Sequence, residues 1–263
     1  MIVDSHTHAS LAWYEPIETL LYEMDGNGVD RAVLIQIMGE TDNSYQTTCV
    51  RGHPDRFSSV VVVDPRPEDA LAALERLAEA GASGVRLTPG TRSPGADPLA
   101  IWRAAARLDL PVSCGGSSAD FASDEFARLV GALPETTIVL EHLAGISRPE
   151  TSAASAELRR RAFQLARFPN VYIKVPGLGE FCTRALPVTS PFPFEEPIPP
   201  YLDLAYDHFG PGRMMWGSDF PPVAGREGYG RALRLPMEQL AGRSVADRDL
   251  IFGGVAHTVF RPR

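Results

Sequence analysis

Eight short runs rich in β-branched and other apolar residues, most of them followed by a stretch of helical periodicity, constrain this chain more than any other feature. The runs fall at 1–8, 31–37, 57–63, 84–88, 111–115, 137–142, 170–175 and 214–219. Helix-like stretches lie at 16–27, 67–80, 98–108, 123–133, 155–168 and 246–260, while 38–53 reads as a polar connection. Apolar strands alternating with amphipathic helices predict a parallel sheet with crossover connections. Eight such strands close a (β/α)8 TIM barrel, an α/β fold for which 263 residues is an ordinary length. A doubly wound open sheet is the competing arrangement, but no G-x-G-x-x-G follows the first run. Neither an internal repeat nor a linker divides the chain, so one barrel domain over 1–263 is expected. The compositional break lies around 179–200, densest in proline and phenylalanine from 187 to 200. That segment is too long for a simple turn and predicts a lid-like insertion beside the site. A packed surface loop or an oligomer contact is the plainer alternative.

Composition narrows the partners. Acidic residues outnumber basic ones 33 to 25, net charge is -8, and no basic block appears, which argues against nucleic acid and anionic membrane. The cluster Arg159-Arg160-Arg161 reads as a solvated helix face. No apolar run is long enough to span a bilayer, and the first strand begins without a basic, signal-like region, so the cytoplasm is the expected compartment. Cys49, Cys114 and Cys182 are too few and scattered for a disulfide framework or a zinc knuckle. A small-molecule substrate and, on symmetry grounds, a homodimer are expected.

A barrel of this kind carries its active site at the C-terminal ends of its strands. The first run ends in Asp4-Ser-His-Thr-His8, and strand alternation predicts Asp4, His6 and His8 on one face. The fourth, sixth, seventh and eighth runs supply Arg86, His142, Lys174 and Asp219. Closure makes strand eight a neighbour of strand one, so Asp219 should meet His6 and His8. Two imidazoles and a carboxylate form a facial set suited to Zn²⁺ or another divalent ion. A stacked pair of structural histidines is the bland alternative. The outward face of a strand lies under helices, where an unpaired charge is costly, so Arg86 and Lys174 are expected at the mouth. Two cations there suit a carboxylate-bearing substrate, unless each pairs with an acid such as Asp64 or Glu141. Trp13, Tyr14 and Phe181, just past strand ends one and seven, are expected as substrate-binding walls. His53, His208 and His257 read as structural, and Met214, Met215 and Trp216 as core.

Four motifs in order, Asp4-Ser-His-Thr-His8, Leu140-Glu-His-Leu-Ala-Gly145, Asn170-Val-Tyr-Ile-Lys-Val-Pro-Gly-Leu178 and Trp216-Gly-Ser-Asp-Phe-Pro221, resemble the amidohydrolase-related (amidohydrolase 2) family across essentially the whole chain. The closing Gly253-Gly-Val-Ala-His-Thr-Val-Phe260 resembles that family's last helix. The resemblance implies a (β/α)8 barrel and hydrolytic or decarboxylating chemistry on small carboxylated or cyclic substrates. It also implies His6, His8 and Asp219 as metal ligands, with His142 orienting or deprotonating the reacting water.

One departure matters. Metal-dependent members commonly end strand five with a histidine, and Gly115 stands there. Cys114 faces the other side of the strand and reads as a small buried filler. No lysine ends the fourth strand to be carbamylated, so the resemblance implies one divalent metal, Zn²⁺ by ligand type, or none. Within the family the chain is most similar to the pyrone-dicarboxylate lactonase and fuconolactonase-like branch, some members of which work without metal. In such a site Asp219 would be the general base, and His6, His8 and His142 would polarise the carbonyl. The expected activity is hydrolysis of a small carboxylated lactone or related cyclic ester. A metal-dependent non-oxidative decarboxylase of the aminocarboxymuconate-semialdehyde type is one alternative. A ligand-binding or rearrangement barrel without hydrolysis is the other.

Overall fold

The structure is a computed structural model that describes residues 1–145 and 152–263. Its strands are β1 (Val3–Thr7), β2 (Arg31–Ile35), β3 (Phe57–Val61), β4 (Gly84–Leu87), β5 (Val112–Cys114), β6 (Ile138–Leu140), β7 (Val171–Val175) and β8 (Met214–Trp216). All pair in parallel and in sequence order, with registers such as Val112↔Ile138 and Ile138↔Val171. The last seam closes just beyond β8. Thr7 bridges Phe220 in parallel, His8 N–H donates to the Phe220 carbonyl at 2.8 Å, and Asp219 N–H donates to the His6 carbonyl at 2.9 Å. Both ends of the polypeptide thus contribute to one barrel wall, and the fold is the (β/α)8 barrel.

The strands are buried on both faces because helices cover the outside and side chains fill the inside. Val3, Val33, Ile35, Val60, Val139 and Met215 form the inner packing, floored by Phe260 from the end of the chain. The helix Ala70–Glu79 turns Ala70 and Leu74 inward, as its periodicity predicts. Among the described residues, three of the longer helices lie outside the stretches that periodicity marked, one of them Tyr201–Phe209 before β8. Ser44–Gly52 lies in the polar connection and buries only Gln46 and Cys49. Tyr229–Gln239 follows β8 and carries Pro236 inside. All three cysteines are free and buried, and among the described residues no helix is long and apolar enough to cross a membrane.

The expectation of a solvated arginine face fails at Arg159. Beyond β6 the backbone turns left-handed at His142, Leu143 and Ala144, with φ of 51, 48 and 59°. That turn leaves carbonyls without helical partners. Arg159, fully buried, donates to the Leu143 carbonyl, to the Ala144 carbonyl at 2.6 Å and to Ser118 Oγ at 2.7 Å. Two buried backbone carbonyls and a serine hydroxyl take its guanidinium.

Within 179–200, residues 183–195 fold back as a two-stranded ribbon. Ala185 N–H donates to Pro193 at 2.9 Å and Glu195 N–H to Thr183 at 2.9 Å. Phe194 is buried, while Leu186 and Val188 stay exposed. Arg184 holds the ribbon to the loop after β8 by donating to the Gly225 carbonyl at 3.1 Å.

Candidate active site

The site is built at the seam between the first and last strands. Gly217 allows the close approach: a Cβ there would lie 2.7 Å from His6 Cβ and 3.0 Å from its amide nitrogen. The next turn holds Asp219 at φ 59°, an uncommon left-handed conformation for a residue with a side chain. Its carboxylate meets both predicted imidazoles. Oδ1 lies 3.4 Å from His8 Nε2 and 3.8 Å from His6 Nε2. The two rings stand edge to face with centroids 5.0 Å apart, and the His142 ring lies 4.6 Å from that of His6.

Asp4 does not join them. A register shift between Asp4 and Thr7 breaks the alternation on which the shared face rested. The Asp4 carboxylate instead accepts the backbone N–H of Ser218 at 2.8 Å and of His6 at 3.1 Å, locking the seam from behind. Its burial raises its pKa to about 6, against the opposing pull of those hydrogen bonds.

His142 sits just beyond β6 and is held by a residue the sequence did not single out. Its Nδ1 lies 2.9 Å from Glu180 Oε2 and 3.0 Å from Oε1. Glu180 ends the short 3-10 turn Leu178–Glu180 after β7 and is fully buried. Burial alone would lower the His142 pKa, but the Glu180 carboxylate, with Asp219 and Glu141, outweighs it and raises the imidazole to about 9. At neutral pH His142 is therefore an imidazolium, Nδ1–H on Glu180 and Nε2–H left to donate.

A second unforeseen residue is Arg226, whose Nη1 donates to Asp219 Oδ2 at 3.0 Å and Nη2 to Glu180 Oε1 at 3.3 Å. Despite burial, the neighbouring His8 ring and the charges of His142 and Arg226 hold the Asp219 carboxyl well below the usual carboxylate range. Glu180 and Arg226 both lie in loops, so no periodicity marks them. Position soon after β7 is the one sequence signal Glu180 carries, and Arg226, well beyond β8, carries none.

Arg86 and Lys174 reach the inner face, and both are engaged. Arg86 grips Glu141 with two parallel bonds, Nε–Oε1 3.0 Å and Nη2–Oε2 2.7 Å, and gives Nη1 to the Gln36 carbonyl at 2.9 Å. Lys174, 1% exposed, lies 2.9 Å from His6 Nδ1 and donates to Ser113 Oγ at 2.9 Å, which in turn donates to Glu141 Oε1 at 2.7 Å. Burial lowers the Lys174 pKa to about 7, partly offset by Glu141. The Arg86 pair also accounts for Gly115, where a Cβ would lie 2.8 Å from Glu141 Oε2. Glu141 occupies the space into which a fifth-strand histidine would project. Cys114 is the buried filler it was read to be.

Of the three aromatic walls, only Tyr14 reaches the histidines, its ring 5.3 Å from that of His8. Trp13 is 74% exposed, because Ser10 Oγ binds its backbone N–H in a turn that presents the indole to solvent. Phe181 packs in the outer core against Tyr201, since the 3-10 turn gives the inward position to Glu180.

Donor chemistry at the seam fits one divalent ion. The ligand atoms of His6, His8 and Asp219 lie within 4.8 Å of one another. His8 Nδ1 is spent on the Ile35 carbonyl at 2.7 Å, which leaves Nε2 with its lone pair towards Asp219. His6 Nε2 is buried with no hydrogen-bond partner.

Comparison with known proteins places this geometry in context. A protein-family model described as Amidohydrolase matches residues 3–261. An L-fucono-1,5-lactonase of Burkholderia ambifaria is 33% identical over 133 residues, 49% of this chain but only 42% of that enzyme. This chain thus matches less than half the length of that relative. Among solved structures, an amidohydrolase from Burkholderia multivorans with bound zinc superposes with a TM-score of 0.78 at 21% identity, covering 100% of both chains. A Pseudomonas putida structure assigned as a 2-pyrone-4,6-dicarboxylic acid hydrolase gives 0.72 at 25% identity, covering 98% of this chain and 97% of that one.

Proposed function

The chain belongs to the amidohydrolase family, and from that premise we propose that it is a lactonase, adding water across the ring ester of a small lactone. The carrying observation is the convergence of His6, His8 and Asp219 across the β1/β8 seam, with a protonated His142 beside them. Likeness to the fuconolactonase and to the pyrone-dicarboxylate hydrolase structure supports the same reaction class.

In this reading water attacks the lactone carbonyl carbon, its proton passes to Asp219, and the carbon–ring oxygen bond breaks. His142 Nε2–H donates first to the carbonyl oxygen and then to the departing ring oxygen, leaving a hydroxy acid. The raised pKa of His142 suits it to that donor role and unsuits it for deprotonating water. Asp219 is ionised throughout the physiological range, but its depressed pKa makes it a weak base unaided. That weakness favours a site in which His6, His8 and Asp219 hold a divalent ion, Zn²⁺ by ligand type. When bound, the ion polarises the carbonyl and makes water more acidic.

The case for a carboxylate on the substrate rested on free cations at the mouth, and Arg86 and Lys174 are both committed. The proposal therefore covers small lactones with and without a carboxylate. We retain two expectations beside it, that the insertion around 179–200 acts as a lid and that the compartment is the cytoplasm.

The test is a panel of carboxylated and uncharged lactones, assayed for ring opening by proton release and for carbon dioxide. Ring opening abolished in Asp219→Asn supports the reading. Carbon dioxide from a carboxylated substrate without ring opening replaces it with the decarboxylase.

A further inference from the structure

Arg226 and Glu227 are consecutive, and their side chains both engage the loop after β7. Arg226 reaches into the site and joins Asp219, on the loop after β8, to Glu180, on the loop after β7. The fully buried Glu227 carboxylate accepts the Gly179 N–H at 3.0 Å. It lies in a cradle of two glycines: a Cβ at Gly177 would sit 2.1 Å from Oε1, and one at Gly179 1.9 Å from Oε2. Those glycines are required for space. Arg226 Nε stands 3.9 Å from Glu227 Oε2, so the two side chains are also paired with each other.

We propose that Arg226 and Glu227 form a strut that sets the Asp219 carboxylate and the His142–Glu180 pair in one fixed relation, making Arg226 a positioning residue for the lactonase reaction on which this inference rests. Glu227 fixes the height of the β7 loop immediately before Glu180. Arg226 then takes one oxygen of Asp219, which leaves Oδ1 aimed at His6 and His8. A lysine offers a single charged point and cannot span both carboxylates as the guanidinium fork does.

The experiment is steady-state lactone hydrolysis by the full chain and its variants. Arg226→Ala should lower kcat by about a hundredfold with KM within about threefold, the loss expected when reacting groups are misplaced without loss of binding. Millimolar guanidinium chloride should restore roughly a tenth of the lost kcat or more, and Arg226→Lys should fall between. Gly179→Ala, which expels the Glu227 carboxylate, should also lower kcat, and it stands in for Arg226→Ala should that variant not fold. The double variant Gly179→Ala with Glu227→Ala relieves the overlap but lacks the strut, and should stay impaired. A kcat within threefold of wild type in Arg226→Ala, a loss that guanidinium does not touch, or full recovery in the double variant overturns the strut. A wild type that opens no lactone overturns the reaction itself, and the strut with it.

Discussion

Lys174 Nζ stands 2.9 Å from His6 Nδ1, while Nε2 of the same ring is buried without a partner. The proton on Lys174 therefore decides which face of the imidazole carries hydrogen. A charged Lys174 donates to Nδ1, so neutral His6 bears its proton on Nε2, towards Asp219. A neutral Lys174 accepts from Nδ1–H instead, and Nε2 offers a lone pair. His6 itself stays neutral, since burial and the neighbouring Lys174 hold its pKa well below the ordinary value.

Zinc affinity should follow that exchange. Burial brings Lys174 to a pKa of about 7, so affinity is expected to climb roughly tenfold per unit below pH 7 and to level off above it. Lys174→Met should flatten the climb. Competition with a chromophoric chelator from pH 6 to 8 measures both, and an unchanged slope in the variant refutes the coupling.

Asp219→Asn removes the ionised oxygen that faces both imidazoles and the anchor of Arg226. Lactone hydrolysis should fall at least about a thousandfold. Elemental analysis of protein purified without chelator should show zinc lost in parallel. Undiminished turnover in the variant would refute the assignment of the site.

The barrel was legible because each strand is buried on both faces and announces itself as an apolar run. The seam was legible because closure of eight parallel strands forces Asp219 beside His6 and His8. Asp4 was misplaced because a register shift inside β1 cannot be seen in a five-residue strand. Arg159 was misplaced because its partners are carbonyls freed by a left-handed turn, which no helical-face pattern reveals. Glu180 and Arg226 went unnoticed because loop residues carry no period, and Glu141 was weighed only as a partner for Arg86 or Lys174.

The pair His142–Glu180 predicts the alkaline limb of activity. A histidine whose pKa is raised in the folded protein adds stability that is fully present below about 6.5 and is lost as pH rises through about 9. The donor role of His142 disappears over the same upper range. Hydrolysis should decline near pH 9 in the wild type, and Glu180→Gln should move that limb down by more than about one unit. A limb that stays in place removes Glu180 as the source of the shift.

Gly115 predicts a steric defect. The Glu141 carboxylate that a Cβ would meet at 2.8 Å is pinned by Arg86 and Ser113 and has little freedom to move aside. Gly115→Ala should cost about 1–3 kcal/mol in urea unfolding. Wild-type stability in that variant would mean that the space is free after all.

Asp4 is a buried carboxylate at the seam whose ionisation opposes folding. Burial raises its pKa from 3.8 to about 6, so its contribution to stability is fully present below 3.8 and is lost as pH rises through 6. The shift of roughly two units corresponds to about 2–3 kcal/mol lost by pH 7. Asparagine keeps an oxygen for the His6 and Ser218 amides and carries no charge to be desolvated. Asp4→Asn should therefore match the wild type near pH 4 and exceed it above pH 7 in thermal or urea unfolding. A variant that is less stable at pH 7.5 than at pH 4, relative to wild type, would show that Asp4 is ionised and stabilising in the folded chain.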